Sequence, residues 1–172
     1  MANPLYGQNK ADAGIDWAGN AMEGQFGAVT VTGNNSQYGT AVSPLGKGDL
    51  NKWFVNGHTN GFDMWLPSIS AADAGLWLGV RVGVANAGAG IIITAASGDL
   101  LVGNVFNTKA TDAVANRVYF AADGSDDLIF TMNGTTQGGL IGSQVFFQVN
   151  KDGYWNVRGD LNGSGTLATN FT

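Results

Sequence analysis

Apolar and polar positions alternate along short stretches of this chain, with the period of two residues that is typical of β-strands. The clearest alternation, over residues 76–84, puts leucine and valine on one face and Trp77, Gly79, Arg81 and Gly83 on the other. Arg81 marks the second face as the solvent-exposed one, because an isolated charge in a dry core costs several kcal/mol. Two glycines pointing outward from a strand predict the close approach of another backbone, from a crossing loop or a neighbouring subunit.

Similar apolar runs, separated by Gly, Asn and Asp, recur at the spacing of a β-sandwich. The predicted strands are 26–32, 51–55, 61–66, 76–84, 90–94, 100–102, 117–121, 128–132, 144–150 and 154–158. Asp152-Gly153 predicts a tight hairpin between the last two strands, and Asn133-Gly134 predicts a second hairpin. No internal repeat with a period of roughly 20–50 residues is visible, which disfavours solenoids and propellers.

Composition supports an all-β chain. The 172 residues include 27 Gly, 17 Asn and 12 Asp, but one Glu and eight Lys plus Arg. The residues that cover exposed helix faces are therefore scarce, whereas those that favour turns are abundant. We expect an antiparallel β-sandwich, jelly-roll-like, over residues 25–172. Residues 1–24, which are poor in strand formers, are expected to form an extended N-terminal arm.

Charge and residue usage exclude several classes of function. The net charge of −5 and the scattered cations disfavour a nucleic-acid partner, because phosphate binding needs clustered positive charge. The absence of cysteine excludes disulfides and thiolate chemistry. No run approaches the ~20 apolar residues of a membrane span, and the first residues lack the pattern of a secretory signal.

Candidates for catalysis are weak. The one histidine, His58, lies in a glycine- and asparagine-rich turn, and no nucleophile motif accompanies it, so we expect it to be a solvent-exposed loop residue. Residues 163–166 (GSGT) resemble a phosphate-binding loop in glycine content alone, because the lysine and following helix of such loops are missing. No carboxylate pair is marked as the acid and base of a glycosidase. The sequence therefore predicts a protein that is not an enzyme and needs no cofactor.

Three carboxylates in one short segment are the candidate metal ligands. Asp123, Asp126 and Asp127 offer oxygen atoms of the kind that Ca²⁺ prefers. Their spacing lacks the closing glutamate of an EF-hand. We interpret the segment as a solvated turn, with calcium binding as the alternative.

The tryptophans are candidates for either a core or a sugar-binding surface, since the ring is large, apolar and amphipathic. Alternation places Trp155 on the buried face of its strand and Trp77 on the exposed face of another. We expect Trp155 to be structural and Trp77 to lie at a surface or subunit interface. The five tryptophans are Trp17, Trp53, Trp65, Trp77 and Trp155.

Four segments carry motifs of a recognisable kind: residues 1–10 (MANPLYGQNK), 116–122 (NRVYFAA), 133–143 (NGTTQGGLIGS) and 155–171 (WNVRGDLNGSGTLATNF). Together they resemble a family of virion proteins of tailed phages, particularly cyanophages. In that family a strand ending in aromatic residue, Val and Gly runs into a Gly-Ser-Gly-Thr stretch and a terminal Pro-Phe. Here Asn170 stands in place of the proline, a departure that affects the terminal turn.

The resemblance implies a capsid decoration (cement) protein, bound as a homotrimer to the major capsid protein on the exterior of the virion. The charge and the lack of a long apolar run already predict no nucleic-acid and no membrane partner. The alternative is a carbohydrate- or receptor-binding module of a phage tail fibre; a secreted glycan hydrolase would require a carboxylate pair in a cleft. Contacts with capsid or sister subunits are expected from Pro4, Leu5, Tyr6 and Trp17 in the arm and from Trp77, Gly79, Arg81 and Gly83 in the body.

Overall fold

The computed structural model describes residues 28–31, 36–39, 42–109 and 116–172. The arm expected over residues 1–24 lies outside these ranges. Within them the chain forms strands and two short 3-10 helices, Lys47–Asp49 and Ala71–Asp73. The strands are β1 (Ala28–Val31), β2 (Ser36–Tyr38), β3 (Lys52–Asn56), β4 (Gly61–Trp65), β5 (Trp77–Val82), β6 (Gly90–Thr94), β7 (Leu101–Lys109), β8 (Asn116–Asp123), β9 (Ile129–Met132), β10 (Gln144–Val149) and β11 (Trp155–Gly163).

Two sheets share one core. The large sheet has the order β1-β3-β5-β10-β11-β7-β8, and the small sheet has the order β2-β4-β6-β9. Ring contacts join them: Phe130 lies 5.5 Å from Phe147, and Tyr38 lies 5.4 Å from Phe54, between ring centroids. The prediction of an all-β fold is confirmed.

The first six strands form a parallel coil. Successive strands alternate between the two sheets, and each runs parallel to the strand two places earlier. Ala28 pairs with Trp53, and Trp53 pairs with Gly79, so one turn of the coil takes 25 or 26 residues in the large sheet. The expected antiparallel arrangement is wrong for this half of the body, and the jelly roll is not confirmed. The repeat is not visible in the sequence because stacked positions differ in residue type, as Ala, Trp and Gly do here.

Two glycines allow successive turns of this coil to pack closely against each other. Gly61 and Gly90 are paired at the starts of β4 and β6, with φ of 69° and 86°. A Cβ atom on Gly61 would lie 1.9 Å from the carbonyl oxygen of Gly90. Both the left-handed backbone and the close approach therefore require glycine at this corner.

The side-chain amides of two buried asparagines form hydrogen bonds between the chain segments that meet near this corner. Asn56, which is fully buried, donates from Nδ2 to Oδ1 of Asn86 (2.7 Å) and to the carbonyl oxygen of Val84 (2.9 Å). Asn86 in turn donates to the carbonyl oxygen of Met132 (3.1 Å). These bonds satisfy backbone groups that the irregular turns leave without sheet partners.

The C-terminal half is largely antiparallel. β10 and β11 form the predicted hairpin, with Gly153 in the left-handed region at φ 84°. β11 then runs parallel to β7, which pairs antiparallel with β8. The second predicted hairpin is wrong: Asn133-Gly134 forms a turn, but β9 pairs with β6 whereas β10 lies in the other sheet.

The core confirms the side-chain alternation that the sequence predicts. Leu78 and Val80 are fully buried on the inner face of β5, whereas Arg81 is exposed on its outer face. Trp155 is fully buried, as expected. Strand positions agree with the prediction over most of the body. β7 and β11 extend well beyond their predicted ranges, and the three-residue β2 has no counterpart among the predicted strands.

Candidate functional site

His58 has a structural role in its turn. It is half-buried rather than fully exposed, and its Nδ1 accepts a hydrogen bond from the backbone N–H of Asn60 (3.2 Å). Within the described ranges no carboxylate bonds to the ring. The residue is therefore not arranged as an oriented general base.

The GSGT segment continues the end of β11. Gly163 is the last residue of that strand and is buried, and the N–H of Ser164 donates to the carbonyl oxygen of Thr135 (2.8 Å). An amide that is bonded within the chain is not free to hold a phosphate. The bonded amide gives this segment a structural role at the end of β11.

The acidic segment after β8 is a self-bonded turn. Asp123, Asp126 and Asp127 bring carboxylate oxygens within 4.8 Å of one another. Oδ1 of Asp123 accepts hydrogen bonds from the hydroxyl (2.5 Å) and N–H (2.8 Å) of Ser125, and these bonds hold the pKa of Asp123 below its ordinary value. Asp127 accepts from the N–H of Asp123 (3.0 Å). These bonds order the segment as a turn, and calcium binding by its three carboxylates stays the alternative.

The outer face of the large sheet gathers the remaining candidates. We use this name for the side chains that point away from the core on β3, β5, β10, β11, β7 and β8. Cross-strand pairing places them in rows. One row is Trp53, Gly79, Phe146, Arg158, Asn104 and Ala121, and the next is Val55, Arg81, Gln144, Asp160, Phe106 and Tyr119.

Three rings form an aromatic cluster on this face. Trp77 and Phe146 are stacked, with centroids 5.2 Å apart and planes inclined by 27°. Trp53 contacts both, at 6.0 Å from Trp77 and 6.3 Å from Phe146. All three are half-buried, so each ring keeps some surface in contact with solvent.

Gly79 makes the cluster sterically possible. A Cβ atom at this position would lie 2.3 Å from Cε3 of Trp53, so the indole ring occupies the space above the glycine. Arg81 covers a face of the indole, with its Cζ atom 4.1 Å from the ring centroid. A guanidinium over an indole face is attracted by the ring quadrupole, which restrains both side chains.

A second aromatic group, which consists of two rings, lies at the β7–β8 end of the outer face. Phe106 and Tyr119 meet edge to face, with centroids 5.6 Å apart. Arg117 lies over Phe106, with Cζ 4.0 Å from the centroid, and also forms an ion pair with Asp160. Tyr119 keeps 54% of its surface exposed, which makes this edge the more open of the two aromatic groups.

A depression of about 310 Å³ lies between these groups. Its lining includes the aromatic residues Trp53 and Phe146 and the polar residues Gln144, Arg158 and Asp160. Among the described residues, the side chains of Gln144 and Arg158 make no hydrogen bond or ion pair. The depression therefore combines aromatic residues with polar groups that no described residue occupies, as binding sites for ligands or partners do.

The body residues expected to make contacts lie on or next to β5. Trp77, Gly79 and Arg81 belong to that strand, and Gly83 follows it and is exposed. The expectation that Gly79 receives another backbone is corrected, because the side chain of Trp53 covers it. At Gly83 a backbone does approach: an added Cβ atom would lie 3.1 Å from the carbonyl oxygen of Asn56, at the end of β3.

The expected contact residues of the arm, Pro4, Leu5, Tyr6 and Trp17, lie outside the described residues.

Most of the outer face has no counterpart among the contact residues that the sequence predicts. Trp53, Phe146, Arg117 and Arg158 are absent from that set. Alternation along each strand would put Phe146, Arg117 and Arg158 on exposed faces, whereas Trp53 alternates with the charged Lys52 and is not marked as exposed. The missing information is the register, which brings Trp53 beside Gly79.

Three comparisons with known proteins return no match for this chain. No family model, curated protein or solved structure matches it. No helix in the described part of the chain is long and apolar enough to cross a membrane.

Proposed function

We propose that this chain is a decoration protein of a tailed-phage head, bound to the exterior of the major capsid protein shell and without catalytic activity. The observation that carries the proposal is the outer face of the large sheet, which has the composition of a protein-binding surface. The resemblance of residues 116–122, 133–143 and 155–171 to phage virion proteins supports the kind of partner.

The composition of the outer face is that of an interface centre. Tryptophan, tyrosine, phenylalanine and arginine are enriched where protein partners bind, whereas lysine and glutamate are depleted. The cations of its two aromatic groups are arginines, Arg81 and Arg117, and each lies over a ring. Such packed side chains lose little conformational freedom when a partner covers them.

The outer face also has the right dimensions. Strand spacing of about 4.8 Å and a rise of about 3.3 Å per residue give a face of about 30 by 20 Å, or roughly 600 Å². A standard interface buries about 800 Å² on each partner. The sheet would therefore supply most of one side of such an interface, and the arm would supply the remainder.

Many modest contacts are sufficient for a stabilising role. A protein that binds the assembled shell but not its dissociated state stabilises each site by RT ln(1 + [L]/Kd), about 2.7 kcal/mol at a hundredfold excess over Kd. This effect requires no active site. It requires a rigid body that keeps its binding face intact on the virion, which the two-sheet core favours.

The experiment is a comparison of phage particles with and without the gene for this chain. We expect purified wild-type heads to contain the chain in many copies, with density on the outer surface of the shell. Heads without it should release DNA at a lower temperature, and added protein should restore the difference. Absence from the head, or location in the tail, would contradict the proposal.

A carbohydrate- or receptor-binding module of a tail fibre is the second candidate. The observation that favours it is the depression, where the rings of Trp53 and Phe146 stand beside Gln144 and Asp160. An apolar ring face with a few polar groups around it suits a pyranose. Binding of the purified chain on a glycan array, lost on Gln144→Ala, together with location in the tail, would favour this candidate.

A further inference from the structure

We infer that the depression beside Arg158 accepts a carboxylate side chain of the partner protein. This inference rests on the proposed function, since it names the chemistry by which the outer face recognises the capsid surface. It depends on which of the three arginines on that face contact a ring or a carboxylate of the described residues.

Among the described residues, Arg158 is the arginine of this face whose guanidinium has no partner. Arg81 is packed over the indole of Trp53, and Arg117 is paired with Asp160 and lies over Phe106. Arg158 is exposed, and within the described ranges it pairs with neither a carboxylate nor a ring. Its planar group of donors can therefore form two parallel hydrogen bonds to an incoming carboxylate.

The neighbouring acid does not compete for Arg158. Asp160 lines the same depression, but its Oδ1 is bonded to Nη2 of Arg117. That ion pair offsets the negative charge that would otherwise repel an incoming anion. The depression is thus locally cationic in a chain whose net charge is −5, which makes an acidic side chain the complementary partner.

The walls of the depression strengthen this contact. The rings of Trp53 and Phe146 exclude water on one side once a partner covers the face. A charge-assisted hydrogen bond is stronger in such a partly dry site than in open solvent. The amide of Gln144 adds a second donor beside the guanidinium. An aspartate or glutamate flanked by apolar residues is therefore the partner segment that fits.

The first test measures binding of the purified chain to heads that lack it. We expect Arg158→Gln to weaken binding by about tenfold to a hundredfold, because a hydrogen bond to a charged group is lost, and to reduce the salt dependence. Lys151→Gln removes the same charge at the exposed β10–β11 turn and should bind as the wild type does. Equal binding by Arg158→Gln and wild type would overturn the inference, as would equal losses in both variants. Failure of the wild type to bind would instead contradict the proposed function.

The second test identifies the partner group. In the Arg158→Lys variant, a carbodiimide activates the partner carboxyl, the introduced amine attacks it, and an amide forms while the carbodiimide takes up the elements of water as a urea. We expect mass spectrometry to find a new crosslink from position 158 to an aspartate or glutamate of the capsid protein. Crosslinks at native lysines alone would overturn the inference. Displacement of the chain by a soluble neutral oligosaccharide would also overturn it, in favour of a sugar site.

Discussion

The indole of Trp53 lies directly above Gly79, its neighbour on the adjacent parallel strand. A Cβ atom on Gly79 would come within 2.3 Å of the ring. The lack of a side chain at Gly79 therefore leaves room for the indole of Trp53. Around this ring pack Trp77, Phe146 and Arg81.

We expect Gly79→Ala to disturb this cluster while leaving the core intact. The indole must shift, because the added carbon is attached to a strand held between two neighbours in the sheet, and overpacking of this kind costs about 1–3 kcal/mol. Urea unfolding and tryptophan fluorescence measure the loss and the altered ring environment. Gly48→Ala is the matched control, since a Cβ there has no atom within 4 Å. Equal stability and fluorescence of Gly79→Ala and wild type would contradict the packing.

Trp155→Ala should be among the most damaging substitutions in the body. The ring is fully buried in the hydrophobic core, and truncation of such a side chain costs about 3–5 kcal/mol. That is a large share of the roughly 5–15 kcal/mol usual for a domain. Denaturant melts provide the measurement, with Tyr154→Ala as control because that neighbouring ring is 38% exposed. A stable Trp155→Ala variant would show that the ring is not part of the core.

The burial of Trp155 illustrates what a sequence alone can predict. Alternation depends on local residue types, so the inner and outer faces of β5 and β11 follow from the sequence. Register depends on which strands become neighbours, and no local signal brings Trp53 beside Gly79. The parallel coil is hidden for the same reason, and Ser36–Tyr38 escapes prediction because three mostly polar residues carry no strand pattern.

Asn56→Ala should destabilise the corner of the coil. The buried amide donates to Oδ1 of Asn86 and to the carbonyl oxygens of His58 and Val84. Removing it leaves the buried Oδ1 of Asn86 and two partly buried carbonyl oxygens without this donor, at a cost of about 1–3 kcal/mol. Thermal unfolding measures the effect, and Asn116→Ala, on the exposed start of β8, is the control. A loss no larger than that of Asn116→Ala would show that water replaces the amide at little cost.

Ionisation of Asp99 should contribute to the pH dependence of stability, and replacing this residue should remove that contribution. Burial raises the pKa of this carboxyl above its ordinary value of 3.8, although its Oδ2 accepts a hydrogen bond from the N–H of Ile69 (3.0 Å). The folded state therefore binds the proton more tightly than the unfolded state, so this group lowers stability as pH rises from about 4 through the raised pKa. Asp99→Asn keeps an acceptor and removes the ionisation.

Urea melts between about pH 3 and pH 7 measure this difference. Asp99→Asn should become more stable relative to wild type as pH rises. Ionisation of Asp73 has the opposite effect on the stability of the wild type. The hydrogen bond from Lys47 lowers the pKa of Asp73, so its contribution is present at neutral pH and is lost as pH falls through the lowered pKa. Asp152→Asn, at the exposed hairpin, is the control for a surface carboxyl. Parallel pH profiles for Asp99→Asn and wild type would contradict the assignment.

A homotrimer is the last prediction, and it follows from the proposed place on a capsid shell. Closed cyclic symmetry lets three copies bind around a local threefold axis without leaving an unpaired interface. Light scattering on the isolated chain should give about three times 17.8 kDa. Deleting residues 1–24 should leave the body folded, because the strand pattern of the sequence begins at residue 26, while cohesion of the trimer or binding to heads falls. A chain that stays monomeric both in solution and on heads would contradict the trimer, and a truncated chain that fails to fold would place those residues in the core.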